Sequence, residues 1–205
     1  MKKSKKATSI AEAMVVTLII VMWLTWVYNI YSQSIKLTDS VENKIQAIQI
    51  AREWIEAVTN IRDTNWVQFS SDKQNCWKAL NYDASCIWNT TFSNNMVWDF
   101  KVIRDVNNRW DLVTAPWTTW DNYATTNYKN FYKIYLDTNW LYTHDTWANL
   151  KQFYTRQIKT SNIDPGWDNN INNWLKVNSI VKWVDSSSST VREVNLETIL
   201  TNYKK

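Results

Sequence analysis

Residues able to do chemistry are few in this chain and poorly placed to cooperate. His144 is the single histidine among 205 residues, and Cys76 and Cys86 are the two cysteines. One histidine and two thiols do not complete a zinc shell. With Gly166 the only glycine, a glycine-rich phosphate loop is excluded as written. Acids beyond residue 35 are scattered and read as solvated surface charge. No nucleophile, base and orienting acid come together, so neither an enzyme nor a cofactor is expected. One carboxylate stands out. Glu12 sits alone at the mouth of a stretch, residues 13–35, that carries no charge.

That stretch must be what positions Glu12. It is apolar in most positions to Ile30, and a run of 18 or more such residues can cross a hydrocarbon core. Lys2, Lys3, Lys5 and Lys6 precede it. Short basic flanks stay in the cytoplasm, so the amino end is expected inside and Lys36 onward outside. A carboxylate at the edge of a spanning helix is costly and usually functional; the plainer alternative is an acid complementing a helix N-terminus. A secretory signal fits less well, because the uncharged stretch is too long and Glu12 stands where its apolar core should begin. With the rest of the chain outside, Cys76 and Cys86 are expected to pair as a disulfide.

The segment Lys5-Lys6-Ala7-Thr8-Ser9-Ile10-Ala11-Glu12-Ala13-Met14-Val15-Val16 resembles the class III leader of type IV pilins and pseudopilins. In that family a short basic leader ends in a small residue, usually Gly and sometimes Ala. A dedicated peptidase cuts after it on the cytoplasmic side, and the new amino group is N-methylated. Glu is the fifth mature residue. The resemblance therefore implies cleavage between Ala7 and Thr8, N-methylation of Thr8, and assembly through Glu12. Here Ala7 replaces the usual Gly, and Thr8 replaces the usual Phe. A carboxylate buried among stacked helices must be paired, and the Thr8 amino group of a neighbour is the partner this implies. Residues 47–66, AIQIAREWIEAVTNIRDTNW, are also similar to a segment of prepilin-like proteins of uncultured bacteria, which has Gly where Trp54 stands here.

Residues 35–62 keep a helical beat. Val41, Ile45, Ile48, Ile55 and Val58 recur at helical spacing, with Glu42, Lys44, Arg52, Glu53 and Glu56 on other faces. Joined to the apolar stretch, this predicts one helix from about Ile10 to about Asn60, roughly 75 Å long at about 1.5 Å per residue. A bend is expected near residues 29–34 or 38–40, where Ser, Thr and Asp compete for backbone bonds. From Met96 onward the pattern turns to strands, at 97–106, 109–114, 130–137, 140–144, 152–160, 175–185 and 190–200. In the third, Phe131, Lys133 and Tyr135 face one way and Tyr132, Ile134 and Leu136 the other. Residues 164–166 read as a turn, and 186–189 as a polar hairpin tip.

The expected fold is α+β: a long N-terminal transmembrane helix packed on a C-terminal antiparallel β-sheet, as in pilins. Five segments follow: a leader 1–7, a transmembrane assembly half 8–34, a soluble amphipathic half 35–64, a disulfide-containing loop 65–95, and a sheet domain 96–205. Net charge is +4. Setting aside the four leader lysines leaves 19 of the 23 basic residues against 19 acids, so the exported part is neutral and has no electrostatic footprint for nucleic acid. The resemblance implies a structural subunit, major or minor, whose partners are copies of itself or other pilins, the prepilin peptidase, the inner-membrane assembly machinery and lipid. It would be made in the cytoplasmic membrane and end in a filament at the cell surface. The alternative is an extracellular glycan- or surface-binding module on an uncleaved anchor, with the aromatic-rich residues 117–142 as its ligand surface.

Tryptophan occurs 15 times and glycine once, where glycine usually makes up about 7%. A β-rich domain needs residues that accept positive φ at its turns. Many of these tryptophans therefore read as glycines of a lineage that decodes UGA as Gly. Trp23, Trp26, Trp54, Trp88, Trp98, Trp117, Trp140 and Trp147 read better as Gly. At Asn139-Trp140 an Asn-Gly pair would make a hairpin turn. Trp66, Trp77, Trp110, Trp167 and Trp183 read as genuine. The gene decides this: UGA codons are expected at the first set, and UGG there would refute the recoding.

Overall fold

The computed structural model describes residues 10–105, 107–117, 119, 121–136, 142–144, 150–163, 173–184 and 189–202, with backbone alone at 150–153. The chain divides into two units, Met1–Asn43 and Lys44–Lys205. The helix α1, Ile10–Gln68, contributes to both.

In the first unit α1 is helical throughout, including the two stretches where a bend is expected. Its hydroxyls turn inward on their own backbone. Thr17 Oγ1 donates to the Met14 carbonyl at 2.9 Å, Thr25 to Met22 at 2.8 Å and Thr38 to Ser34 at 3.0 Å. Such bonds let a hydroxyl lie in an apolar surface without an orphaned donor.

In the second unit α1 runs on to Gln68, past the end expected near Asn60. Its buried stripe is Ala47, Ile50, Ala51, Trp54, Ala57, Val58, Ile61, Arg62 and Asn65. This differs from the expected stripe. Val41 and Ile45 are exposed, Ile48 and Ile55 sit at the border, and of those five residues Val58 alone is buried. The pattern of large β-branched residues pointed one face too far round. The face chosen in the fold mixes three alanines with Ile50, Trp54, Val58 and Ile61, whose side chains fill the space to the sheet.

The strands are β1 (Asp99–Arg104), β2 (Trp110–Thr114), β3 (Lys133–Leu136), β4 (Tyr142–Thr143), β5 (Leu150–Asn162), β6 (Trp174–Val184) and β7 (Val191–Thr201). They form one antiparallel sheet around β5. Along one side β5 pairs with β3 and then β1, which carry β4 and β2 in turn. Along the other it pairs with β6, which carries β7 in unbroken register from Trp174↔Thr201 to Val184↔Val191. The expected strand at 130–137 is a correction: its first part belongs to the helix α3, Thr126–Tyr132, capped by Thr125. The short run of Tyr and Asn follows a good N-cap residue, which favours a helical turn. The expected alternation still holds, with Tyr132, Ile134 and Leu136 buried and Phe131, Lys133 and Tyr135 less so.

The helix stripe closes on two groups of sheet residues. Trp54, Ala57, Val58 and Ile61 meet Phe100, Val102, Leu112, Ile158, Leu175, Val177 and Leu200. Ala47, Ile50 and Ala51 meet Ile134, Tyr154, Val181, Trp183 and Val194. The aromatic-rich segment packs the fold: Tyr128 and Tyr132 of α3 are buried, and the Tyr128 hydroxyl donates to Gln157 on β5 at 3.1 Å.

The segment at the end of α1 is a clasp. Arg62 Nη1 donates to the Thr201 carbonyl at 3.2 Å while its Nε pairs with Asp63 at 2.6 Å. Asn65 Nδ2 donates to the Ala79 carbonyl at 2.7 Å, and Trp66 Nε1 to Asn202 Oδ1 at 3.2 Å. Arg62 and Trp66 thus hold the end of the last strand, and Asp63 pairs with Arg62, all from the final turns of α1. Beyond them lie the short helix α2, Lys73–Cys76, capped by Asp72, and two single 3-10 turns, Leu80–Tyr82 and Ala84–Cys86. Cys76 and Cys86 form the expected disulfide, with Cα atoms 5.2 Å apart, and bury together with Phe69 and Ala79. Asn81 completes the loop's attachment by accepting from the Leu112 N–H at 2.9 Å and donating to the Leu112 carbonyl at 3.0 Å.

The tryptophans separate along the expected line, with one exception. Trp77 and Trp183 are buried, Trp110 lies under the Arg104 guanidinium at 4.2 Å, and Trp66 is hydrogen-bonded. Trp88, Trp98 and Trp117 hold their rings in solvent, at 78%, 59% and 86% exposure. Trp23 and Trp26 are exposed on the first unit and touch edge to face. The exception is Trp54, expected to read as Gly and completely buried. Trp140, Trp147, Trp167, the turn at 164–166 and residues 186–188 lie outside the described residues.

Reducing the Cys76–Cys86 bridge, or replacing both cysteines by serine, is expected to lower head stability by about 2–3 kcal/mol. Denaturant titration of the oxidised and reduced chain checks this as a shift in midpoint.

Candidate functional site

Two places carry features that a folded core alone does not require. The first is the opening of α1. Its large apolar side chains from Ile10 to Tyr31 are exposed, Leu18 and Leu24 by about three-fifths. This helix is long and apolar enough to cross a membrane, which is consistent with membrane anchoring. Glu12 lies in its first turn and is exposed. Along the helix the next charge is Lys36, six to seven turns away at about 3.6 residues per turn. The geometry therefore offers one carboxylate at the end of a long apolar cylinder. Ala7 and Thr8 lie outside the described residues.

The second place is inside the head and was not anticipated from sequence. Arg156 sits on β5 between Tyr154 and Ile158, facing α1, and is almost wholly buried. Its guanidinium carbon lies 3.1 Å from the centroid of the Trp54 ring. Its Nη1 reaches Glu53 Oε2 at 3.5 Å. His144, just after β4, also meets Trp54, edge to face with ring centroids 5.0 Å apart. Burial weighs against the charge on Arg156, and the Glu53 carboxylate supports it. Nδ1 of His144 lies 2.7 Å from the Lys133 carbonyl. A carbonyl cannot donate, so this nitrogen carries the proton and Nε2 keeps its lone pair. Burial, and then the Arg156 charge, hold the His144 pKa well below the ordinary 6.5. A signal for this cluster exists in the sequence: strand alternation puts Arg156 in phase with Tyr154 and Ile158. A charged residue in an apolar phase marks a position that the core must accommodate.

Elsewhere the polar groups attach segments to one another. Lys78, within the disulfide loop, is buried and its Nζ donates to Asn162 Oδ1 at 3.0 Å; burial pushes its pKa down to about 8. Among the described residues no three histidine, cysteine or acidic side chains gather as a metal site. Compared with protein-family models, with curated proteins and with solved structures, the chain matches none.

His144 makes stability depend on pH. In the unfolded chain it takes up a proton below about 6.5, whereas in the fold it resists protonation. Both states are neutral at higher pH, so its effect is absent there. Stability falls as pH drops through 6.5, by up to about 1.4 kcal/mol per pH unit. Thermal melts at pH 7, 6 and 5 are expected to decline less steeply for His144→Gln than for the unsubstituted chain.

Proposed function

We propose that this protein is a structural subunit of a type IV pilus-like filament, assembled through its N-terminal helix after removal of a short leader. The observation that carries the reading is the exposed apolar opening of α1 with Glu12 as its first charge. In lipid such a surface is at rest, because tails are as apolar as leucine. On leaving the membrane it needs another apolar surface, and neighbouring copies of the same helix supply one. A carboxylate carried into that bundle is tolerable only beside a cation. The new amino group of Thr8 on the adjacent subunit is that cation, and the pair fixes the axial step between subunits.

In this reading a peptidase cuts between Ala7 and Thr8 and the chain itself catalyses nothing. The subunit waits in the cytoplasmic membrane with its lysine-rich end inside and its head outside. The disulfide belongs with that exposure, since bridges persist in oxidising compartments. The partners are its own copies or related subunits, the peptidase and the assembly machinery in the membrane.

Two measurements test this. Mass spectrometry of the surface protein is expected to find a mature start at Thr8, and an intact Met1 would instead favour a permanent tether. Glu12→Leu is expected to insert in the membrane normally yet enter filaments at least tenfold less often, about 1.4 kcal/mol of lost docking energy. Undiminished incorporation would remove Glu12 from assembly.

A further inference from the structure

Buried polar atoms are rarely left without a partner, yet three gather around one ring. Among the described residues Trp54 Nε1, Arg156 Nε and His144 Nε2 have no hydrogen-bond partner. The Arg156 guanidinium carbon lies over that ring, 3.1 Å from its centroid. The helical neighbours of position 54 on the stripe are Ile50, Ala51, Ala57 and Val58, and the indole is the largest side chain buried there.

A second position misfits in its backbone. Trp88 has φ 58° and donates its N–H to the Asp72 carboxylate at 2.8 Å. This left-handed conformation crowds any Cβ and suits glycine. Tyr82 shares the conformation, but its hydroxyl donates to the Trp110 carbonyl and its ring lies under Arg109. The Trp88 ring is in solvent and offers nothing in return.

We infer that the protein made in its own cell carries glycine at positions 54 and 88, and that glycine at 54 leaves between α1 and β5 a polar chamber, lined by Arg156 and His144, that holds ordered water. The chemistry of the walls selects the occupant. Arg156 Nε–H is a donor and His144 Nε2 an acceptor. A water molecule accepts from the first and donates to the second, whereas an anion would meet the imidazole lone pair. The space of an indole far exceeds the roughly 30 Å³ that one water occupies.

Peptide mass spectrometry of the protein purified from its own cell is expected to read glycine at both positions; tryptophan at either overturns the assignment there. In the full-length recombinant chain in detergent, Trp88→Gly is expected to raise Tm by about 3 °C. Removing a tryptophan from a well-fitted core would lower Tm by about 10 °C or more. Trp54→Gly is expected to show no such loss, and a loss of that size, or failure to fold, overturns the chamber. A crystal structure of the Trp54→Gly chain is expected to show water between Arg156 and His144; a dry or collapsed space overturns the hydration.

Discussion

The head depends on one contact: the alanine-lined face of α1 against the central strand β5. β5 is the strand that every other part of the sheet reaches through a neighbour, pairing with β1, β3 and β6. Tyr154, Arg156 and Ile158 point from it toward the helix, while Thr155 and Gln157 point toward α3. Because both of its faces are covered, five consecutive residues from 154 to 158 are buried. The interior between helix and sheet fills with Ile50, Trp54, Ile61, Phe100 and Leu112. A larger residue on that face would have to displace the sheet or itself, since interiors are packed too densely to yield.

The same helix serves two environments. In its first unit the side chains are large, apolar and exposed, and the hydroxyls bond back to the helix. In its second unit Lys44, Arg52, Glu56 and Asp63 are exposed, and the inward residues are mostly apolar. Such a chain is suited to join a membrane phase to a folded domain. The clasp of Arg62, Asn65 and Trp66, the disulfide and the Asn81 bridge to Leu112 all act where the helix gives way to the head.

The polar interior has a consistent logic. Arg156 is retained in the core beside Glu53, and His144 stays neutral because it is buried and faces the Arg156 charge, while its Nδ1–H to the Lys133 carbonyl sets the tautomer. A buried ion pair is weak evidence for stability and better evidence for a specified arrangement. Here it joins α1 to β5 at Glu53 and Arg156.

The sequence by itself determined the long N-terminal helix, the strand-rich remainder, the α+β class and the Cys76–Cys86 pair, because these follow from local periodicity, turn chemistry and the exposure of thiols. Tertiary structure alone decided the rest. Which helix face is buried turned on its fit to the sheet, where Ile50, Trp54, Val58 and Ile61 meet strand residues while Val41 and Ile45 are exposed. Thr126–Tyr132 coils because a cap and a covering role on β5 outweigh its strand-like composition. Strand order, and the meeting of Glu53, Trp54, His144 and Arg156 from distant parts of the chain, depend on pairings between residues far apart in sequence, which no local pattern records.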